Sequence, residues 1–159
     1  VRVCARTSTD PITGSFGLRV VPDARFVPGE ADVVLVPGGR WVSRAEVGAW
    51  GEVQRGDWAE PLREAASSGS VMVSVCTGAL LLAHAGIIGE RRCTTHVAAR
   101  DDLAATGATV LDARVVDDGD LVTGAGVTSG IDVALHLVGR FFGADAAADA
   151  ARRAEYPLA

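Results

Sequence analysis

Short apolar runs of strand length alternate along this chain with longer amphipathic stretches of helix length, and no feature restricts its fold more. Residues 33–36 (Val-Val-Leu-Val) and 71–75 read as buried strands, and each runs into a turn of small residues: Pro37-Gly38-Gly39 after the first, Cys76-Thr77-Gly78 after the second. Further extended pieces are expected at 1–6, 18–21, 24–27, 92–95 and 109–111, with a turn-rich stretch through Thr13, Gly14 and Gly17. Residues 114–116 and 121–123 flank Asp117-Asp118-Gly119-Asp120, an Asp-Gly hairpin signal. Helical patterns cover 77–85, 97–106, 128–142 and 144–154. The segment 40–70 carries Trp41, Trp50 and Trp58 and reads as loop in its middle, with a helix at 58–67. Strands alternating with helices predict an α/β domain built on a mainly parallel sheet.

Composition excludes several classes. A length of 159 residues suits one domain, and 48% hydrophobic residues can bury a real core. A net charge of -5 argues against nucleic acid as a partner, since phosphate binding needs a basic face. The most apolar stretch, residues 79–88, contains His84 and falls short of the roughly 20 residues that a membrane helix requires. Cys4, Cys76 and Cys93 form no CxxC pair, so neither a disulfide framework nor a zinc site is indicated. The sparse cysteines and the lack of a basic-then-apolar leader fit the cytoplasm. No dinucleotide fingerprint or metal motif appears, and no cofactor is expected.

Chemistry concentrates at Ser74-Val75-Cys76-Thr77-Gly78. An apolar strand passes directly into a helix with a thiol at the junction, the layout of a nucleophile elbow. The tight turn needs small neighbours, and Gly78 with Ala79 supplies them. A helix N-terminus there would attract a thiolate, and the Thr77 N–H could stabilise a developing negative charge. A cysteine closing a core strand accounts for the same residues without chemistry. Pro37-Gly38-Gly39 ends the neighbouring strand, where sites gather in open α/β sheets, and its glycines let backbone N–H groups approach a ligand; an ordinary strand-to-loop turn explains them too. His84 and His136 read as helix packing residues, and Asp132 as an acid favoured by its helix N-terminus. Asp117, Asp118 and Asp120 read as a turn rather than a cation site, the three tryptophans as core cover or cleft lining, and Cys4 and Cys93 as inert.

Four blocks carry a resemblance: Val-Pro-Gly-Gly at the end of residues 33–39, Ser-Val-Cys-Thr-Gly-Ala around Cys76, residues 89–96 ending in Thr-Thr-His, and residues 121–136 with Gly-Val-Thr-Ser-Gly-Ile-Asp. In this order they resemble the ThiJ/PfpI family of the class I glutamine amidotransferase-like superfamily, which includes the parkinsonism-associated deglycase. They are similar to its isonitrile hydratase branch and equally to sensor domains of AraC-type regulators. The resemblance implies a three-layer α/β/α sandwich, flavodoxin-like, with Cys76 as the nucleophile at the elbow. It implies catalytic roles for Thr77 and His96, with Gly38, Gly39, Gly78, Gly126, Val127 and Thr128 forming the oxyanion and pocket walls. Thr77 stands where protease-like relatives have His, which argues against proteolysis, and Val97 follows His96 where many relatives carry Trp.

Family members also open with a strand and helix whose carboxylate contacts the cysteine. By that comparison residues 1–159 form a single domain lacking its first strand and helix. The expected function is a cysteine-dependent hydratase or lyase acting on a small molecule, closest to isonitrile hydration, with a homodimer as the family's common assembly. The alternatives are a ligand- or redox-sensing domain, which the absence of a helix-turn-helix before Ala159 disfavours, and an oxidative-stress protein in which Cys76 is oxidised.

Overall fold

The computed structural model describes residues 1–14 and 17–157, so residues 15 and 16 of the expected turn-rich stretch lie outside it. The apolar runs form the sheet that the alternation predicts. Strands β5 (Val33–Val36), β6 (Val71–Val75) and β10 (Leu121–Gly124) lie side by side and parallel, and β9 (Val115–Asp117) closes the sheet antiparallel to β10. Six short strands pair outside this sheet. β1 (Cys4–Ala5) runs parallel to β4 (Ala24–Arg25), β2 (Ile12–Thr13) antiparallel to β3 (Arg19–Val20), and β7 (Arg92–Cys93) parallel to β8 (Thr109–Val110).

Helices fill two layers, making the three-layer α/β/α sandwich. Val34, Val36, Met72 and Leu121 point to one face, where they pack with Leu80, Leu82, Leu62 and Leu103. Those residues come from α3 (Gly78–His84), α2 (Ala59–Ser67) and α4 (Arg100–Ala104). Alternate residues Val73 and Val122 point to the other face and meet Val133 of α5 (Ser129–Phe142), which packs on α6 (Ala144–Arg153). The strand period of two thus feeds two separate cores. The layers are unequal: β5 pairs with β6 along one edge, and its Leu35 is 49% exposed on the face that α5 covers elsewhere.

Two departures from the sequence reading stand out. Residues 49–55 form α1 (Ala49–Arg55), where a loop is expected. Gly48 and Gly56 bound it with positive φ of 138° and 71°, and Gly51 sits so close to Glu46 that a Cβ would overlap its backbone. Glycine at such a contact serves packing, although glycine lowers intrinsic helix propensity. Trp41 is buried and donates to Asp102, while Trp50 and Trp58 pack against the same core, so the tryptophans mainly cover it. The second departure is residues 92–106, shared among a two-residue strand, a 3-10 turn at Val97–Ala99 and α4.

The expected hairpin does join β9 to β10. Gly119 takes φ 85°, and its N–H donates to Asp117 Oδ1. Its acids have polar partners: Asp118 pairs with Arg91 (3.1 Å) and Arg92 (2.9 Å), and Asp117 with His136 (2.7 Å) and Arg140 (3.3 Å). His136 therefore ties α5 to β9 through Asp117, where the sequence suggested packing alone. Asp132 likewise accepts hydrogen bonds from Arg114 and Tyr156. No helix among the described residues is long and apolar enough to cross a membrane.

Leu80 is fully buried, so Leu80→Ala should cost about 2–5 kcal/mol in chemical denaturation. Leu35→Ala, at the open part of the sheet, should cost less than about 1 kcal/mol. Stability should also fall in acid. Hydrogen bonds from Arg91 and Arg92 lower the Asp118 pKa; burial opposes ionisation of Asp117, but His136, the Gly119 N–H and Arg140 outweigh it and lower its pKa too. Depressed folded-state values mean this stabilisation is present above the ordinary carboxylate pKa of about 4 and disappears as pH falls through the lower folded values. The melting temperature of Asp117→Asn should accordingly fall less steeply than that of the unsubstituted protein below about pH 4.

Candidate active site

Because β5, β6 and β10 are parallel, their carboxyl ends share one edge of the sheet. Val36 pairs with Ser74, and Gly124 with Val75, so Pro37-Gly38-Gly39, Cys76-Thr77-Gly78 and the segment 125–128 leave the sheet together. Open α/β sheets place their sites at such an edge.

Cys76 is the first residue beyond β6, half-buried, with a left-handed φ of 58°. A non-glycine residue held there costs of order 1–3 kcal/mol unless its surroundings over-determine it. Two hydrogen bonds do so. The Cys76 N–H donates to the Gly124 carbonyl (3.0 Å), and its carbonyl accepts from Thr95 Oγ1 (2.8 Å). The chain then enters α3, whose residues 78–82 are all buried. This is the elbow expected from the sequence.

The neighbouring turn explains the glycines. A Cβ on Gly38 would overlap the backbone nitrogens of Thr77 and Gly78, and a Cβ on Gly78 would overlap the Val36 carbonyl. Both glycines permit backbone-to-backbone contact between the end of β5 and the start of α3. The Gly39 N–H donates to Thr77 Oγ1 (2.8 Å). In this arrangement the Gly39 N–H is engaged by a hydroxyl rather than directed at the sulfur, and a substrate anion would have to compete for it. Thr77 is buried, and because its oxygen accepts from Gly39, its own O–H remains able to donate.

His96 reaches the same edge from the chain beyond β7. Its Nδ1 accepts the Ala98 N–H (3.2 Å), which puts the proton of a neutral ring on Nε2. The neighbouring carbon Cδ2 lies 3.7 Å from where a Cβ on Gly126 would stand, so a side chain at 126 would press on the imidazole. Val127 and Thr128 form an exposed rim; Thr128 Oγ1 accepts from Arg114 (3.1 Å), and Ser129 Oγ donates to the Gly126 carbonyl (2.5 Å). The candidate residues from all four sequence blocks therefore occupy one region.

Other candidates lie apart. His84 Nδ1 donates to the Leu80 carbonyl (2.7 Å) within α3, beside the Trp41 ring. Cys4 lies in β1. Cys93 is fully buried in β7, and that burial, with Asp118 nearby, pushes its thiol up to about 11, leaving it protonated at neutral pH. A cleft of about 320 Å³ opens between Arg114, Asp132, Leu135, His136 and Tyr156, and neither Cys76 nor His96 lines it. No cluster of metal-ligating side chains occurs among the described residues. Sequence reasoning passed over Thr95, whose signal was its place beside His96 in Thr-Thr-His. It also passed over Ser74, whose fully buried hydroxyl lies beside Thr123 without a protein partner among the described residues.

A mainly parallel sheet with a cysteine at the strand–helix elbow on its carboxyl edge defines a class of α/β proteins. Within that class the chain belongs to the DJ-1/PfpI family, which it matches over residues 1–140. It is 41% identical over 138 residues to an isonitrile hydratase of Pseudomonas putida, covering 86% of this chain and 58% of that protein. It is 32% identical to a glutathione-independent glyoxalase of Caenorhabditis elegans, covering 84% and 69% of the two chains. The crystal structure of a ThiJ/PfpI family protein from Pseudomonas syringae superposes with a TM-score of 0.88 at 32% identity, covering 99% of this chain and 63% of that one. Drosophila melanogaster DJ-1beta shares the fold at a TM-score of 0.84 and 20% identity, covering 99% and 83%. The chain thus spans less than two thirds of the length of the isonitrile hydratase and of the Pseudomonas syringae protein.

Alanine at Gly38 or Gly78 should force the β5 turn and the elbow apart, costing about 1–3 kcal/mol in denaturant titration. Gly130→Ala, with Val75 Cγ1 at an ordinary 3.8 Å, should be neutral or stabilising by up to about 1 kcal/mol.

Proposed function

We propose that this chain is an enzyme domain that hydrates a small electrophile through the Cys76 thiolate, with an isonitrile as the substrate class. Support comes chiefly from the elbow geometry, a strained cysteine clamped beside two backbone turns, together with the 41% identity to an isonitrile hydratase. In this reaction the Cys76 sulfur bonds to the terminal carbon of R–N≡C, and a proton delivered to that carbon gives the thioimidate R–N=CH–S. Water then adds to the same carbon while nitrogen gains a proton. The tetrahedral centre expels the thiolate, loses the hydroxyl proton and releases the formamide R–NH–CHO. Overall, R–N≡C and H2O become R–NH–CHO.

Thr77 and His96 take the polar roles. The Thr77 O–H can donate to substrate, and the Nε2–H of a neutral His96 ring suits a hydrogen-bond donor. Gly38 and Gly78 hold the β5 turn against the elbow, Gly39 and Gly126 border the pocket, and Val127 and Thr128 rim it. Among the described residues β5 pairs on one side only, with β6, and this with the exposed Leu35 supports a further strand and helix, the family's first, completing the sheet and bringing the carboxylate that assists the thiol.

Formamide production from an aliphatic isonitrile, followed by chromatography, tests this reading. Cys76→Ser should lower turnover by at least about 100-fold. Cys93→Ser should leave it within about twofold, since that thiol is buried and protonated. Unchanged turnover in Cys76→Ser would sink covalent catalysis, and turnover of a 2-oxoaldehyde instead of the isonitrile would place the chemistry with the glyoxalase-like relatives.

A further inference from the structure

We propose that Thr95 is a positioning residue for the reactive thiol, its buried hydroxyl holding the Cys76 carbonyl while its backbone carries His96 to the same pocket. The inference rests on the proposed role of Cys76 and adds to it a residue that touches no reacting atom. Cys76 stands one residue past the last paired positions of β6, where Val36 meets Ser74 and Gly124 meets Val75. The ladder therefore offers nothing to its carbonyl, and α3 takes up its first turn one residue later, where the Thr77 carbonyl accepts the Leu80 N–H (3.1 Å). Thr95 Oγ1 fills the gap at 2.8 Å.

The donor is itself held in place. Thr94 N–H donates to Thr123 Oγ1 (2.8 Å) on β10, and Thr94 Oγ1 donates to the Ala113 carbonyl (3.0 Å). Both threonines are fully buried. Thr94 thus fastens the segment to the sheet, and Thr95 spends its hydroxyl on the elbow. Without that hydroxyl the Cys76 carbonyl loses its hydrogen bond, and the left-handed φ of 58° loses one of the two bonds that resist its relaxation. Relaxation would move the sulfur from the position that the elbow sets. One residue therefore couples the thiol just beyond β6 to an imidazole from the β7 side.

Alkylation by iodoacetamide, read separately for each cysteine by mass spectrometry, tests the assignment. Cys93, being fully buried, reports unfolding in the same sample. Thr95→Val should slow Cys76 alkylation about tenfold while Cys93 stays protected. Thr95→Ser, which keeps the hydroxyl, should stay within about twofold of the unsubstituted rate. If the valine variant labels Cys93, Thr95→Ala takes its place in the comparison with serine. A valine or alanine variant that alkylates at the unsubstituted rate with Cys93 protected overturns the proposal, as does a serine variant as slow as the valine one. Failure of the Cys76 reading itself shows separately, as a Cys76 in the unsubstituted chain that reacts no faster than Cys4.

Discussion

The site depends on one steric constraint: the backbone at the end of β5 and the backbone at the start of α3 must touch. Gly38 lies against the nitrogens of Thr77 and Gly78, and Gly78 lies against the Val36 carbonyl. Any side chain at either position would push the helix from the strand end. The closeness is what lets Gly39 donate to Thr77 Oγ1 and turns the chain sharply enough to put Cys76 at a left-handed φ. The thiol's position is thus a consequence of backbone packing.

Around the thiol the polar groups are mostly neutral. Thr77, Thr95, Thr94, Thr123 and Ser74 bring buried hydroxyls to the end of the sheet, four of them bonded to backbone groups. Ion pairs lie elsewhere, at the β9–β10 hairpin, where Asp117 and Asp118 meet Arg91, Arg92 and Arg140. The division makes physical sense. Exposed or half-exposed charges tie surface elements together at little desolvation cost, whereas hydroxyls can be buried beside a reactive atom once each finds a partner.

Much of the fold is legible in local pattern. The runs at Val33–Val36 and Val71–Val75, the Asp-Gly turn at Gly119 and the helix after Cys76 each follow from a rule that operates over a few residues. Helix α1 escaped because Gly48, Gly51 and Gly56 read as loop residues, while their actual task is to bound a short helix and let it approach Glu46. His136 and Asp132 escaped for a related reason. Their partners Asp117, Arg114 and Tyr156 lie 18 to 24 residues away in the chain, beyond any helical or strand period.

Periodicity and turn preference are local, so the α/β class, the strand ends at Pro37 and Cys76, and the residues that could do chemistry are all readable along the chain. What those residues do to one another came from the folded arrangement. It engaged the Gly39 N–H with Thr77, set the His96 proton on Nε2, raised Cys93 out of reactivity by burial, and gave Thr95 the Cys76 carbonyl. Each of these depends on which groups are brought within hydrogen-bonding distance or out of water, and that is settled by packing between segments distant in sequence.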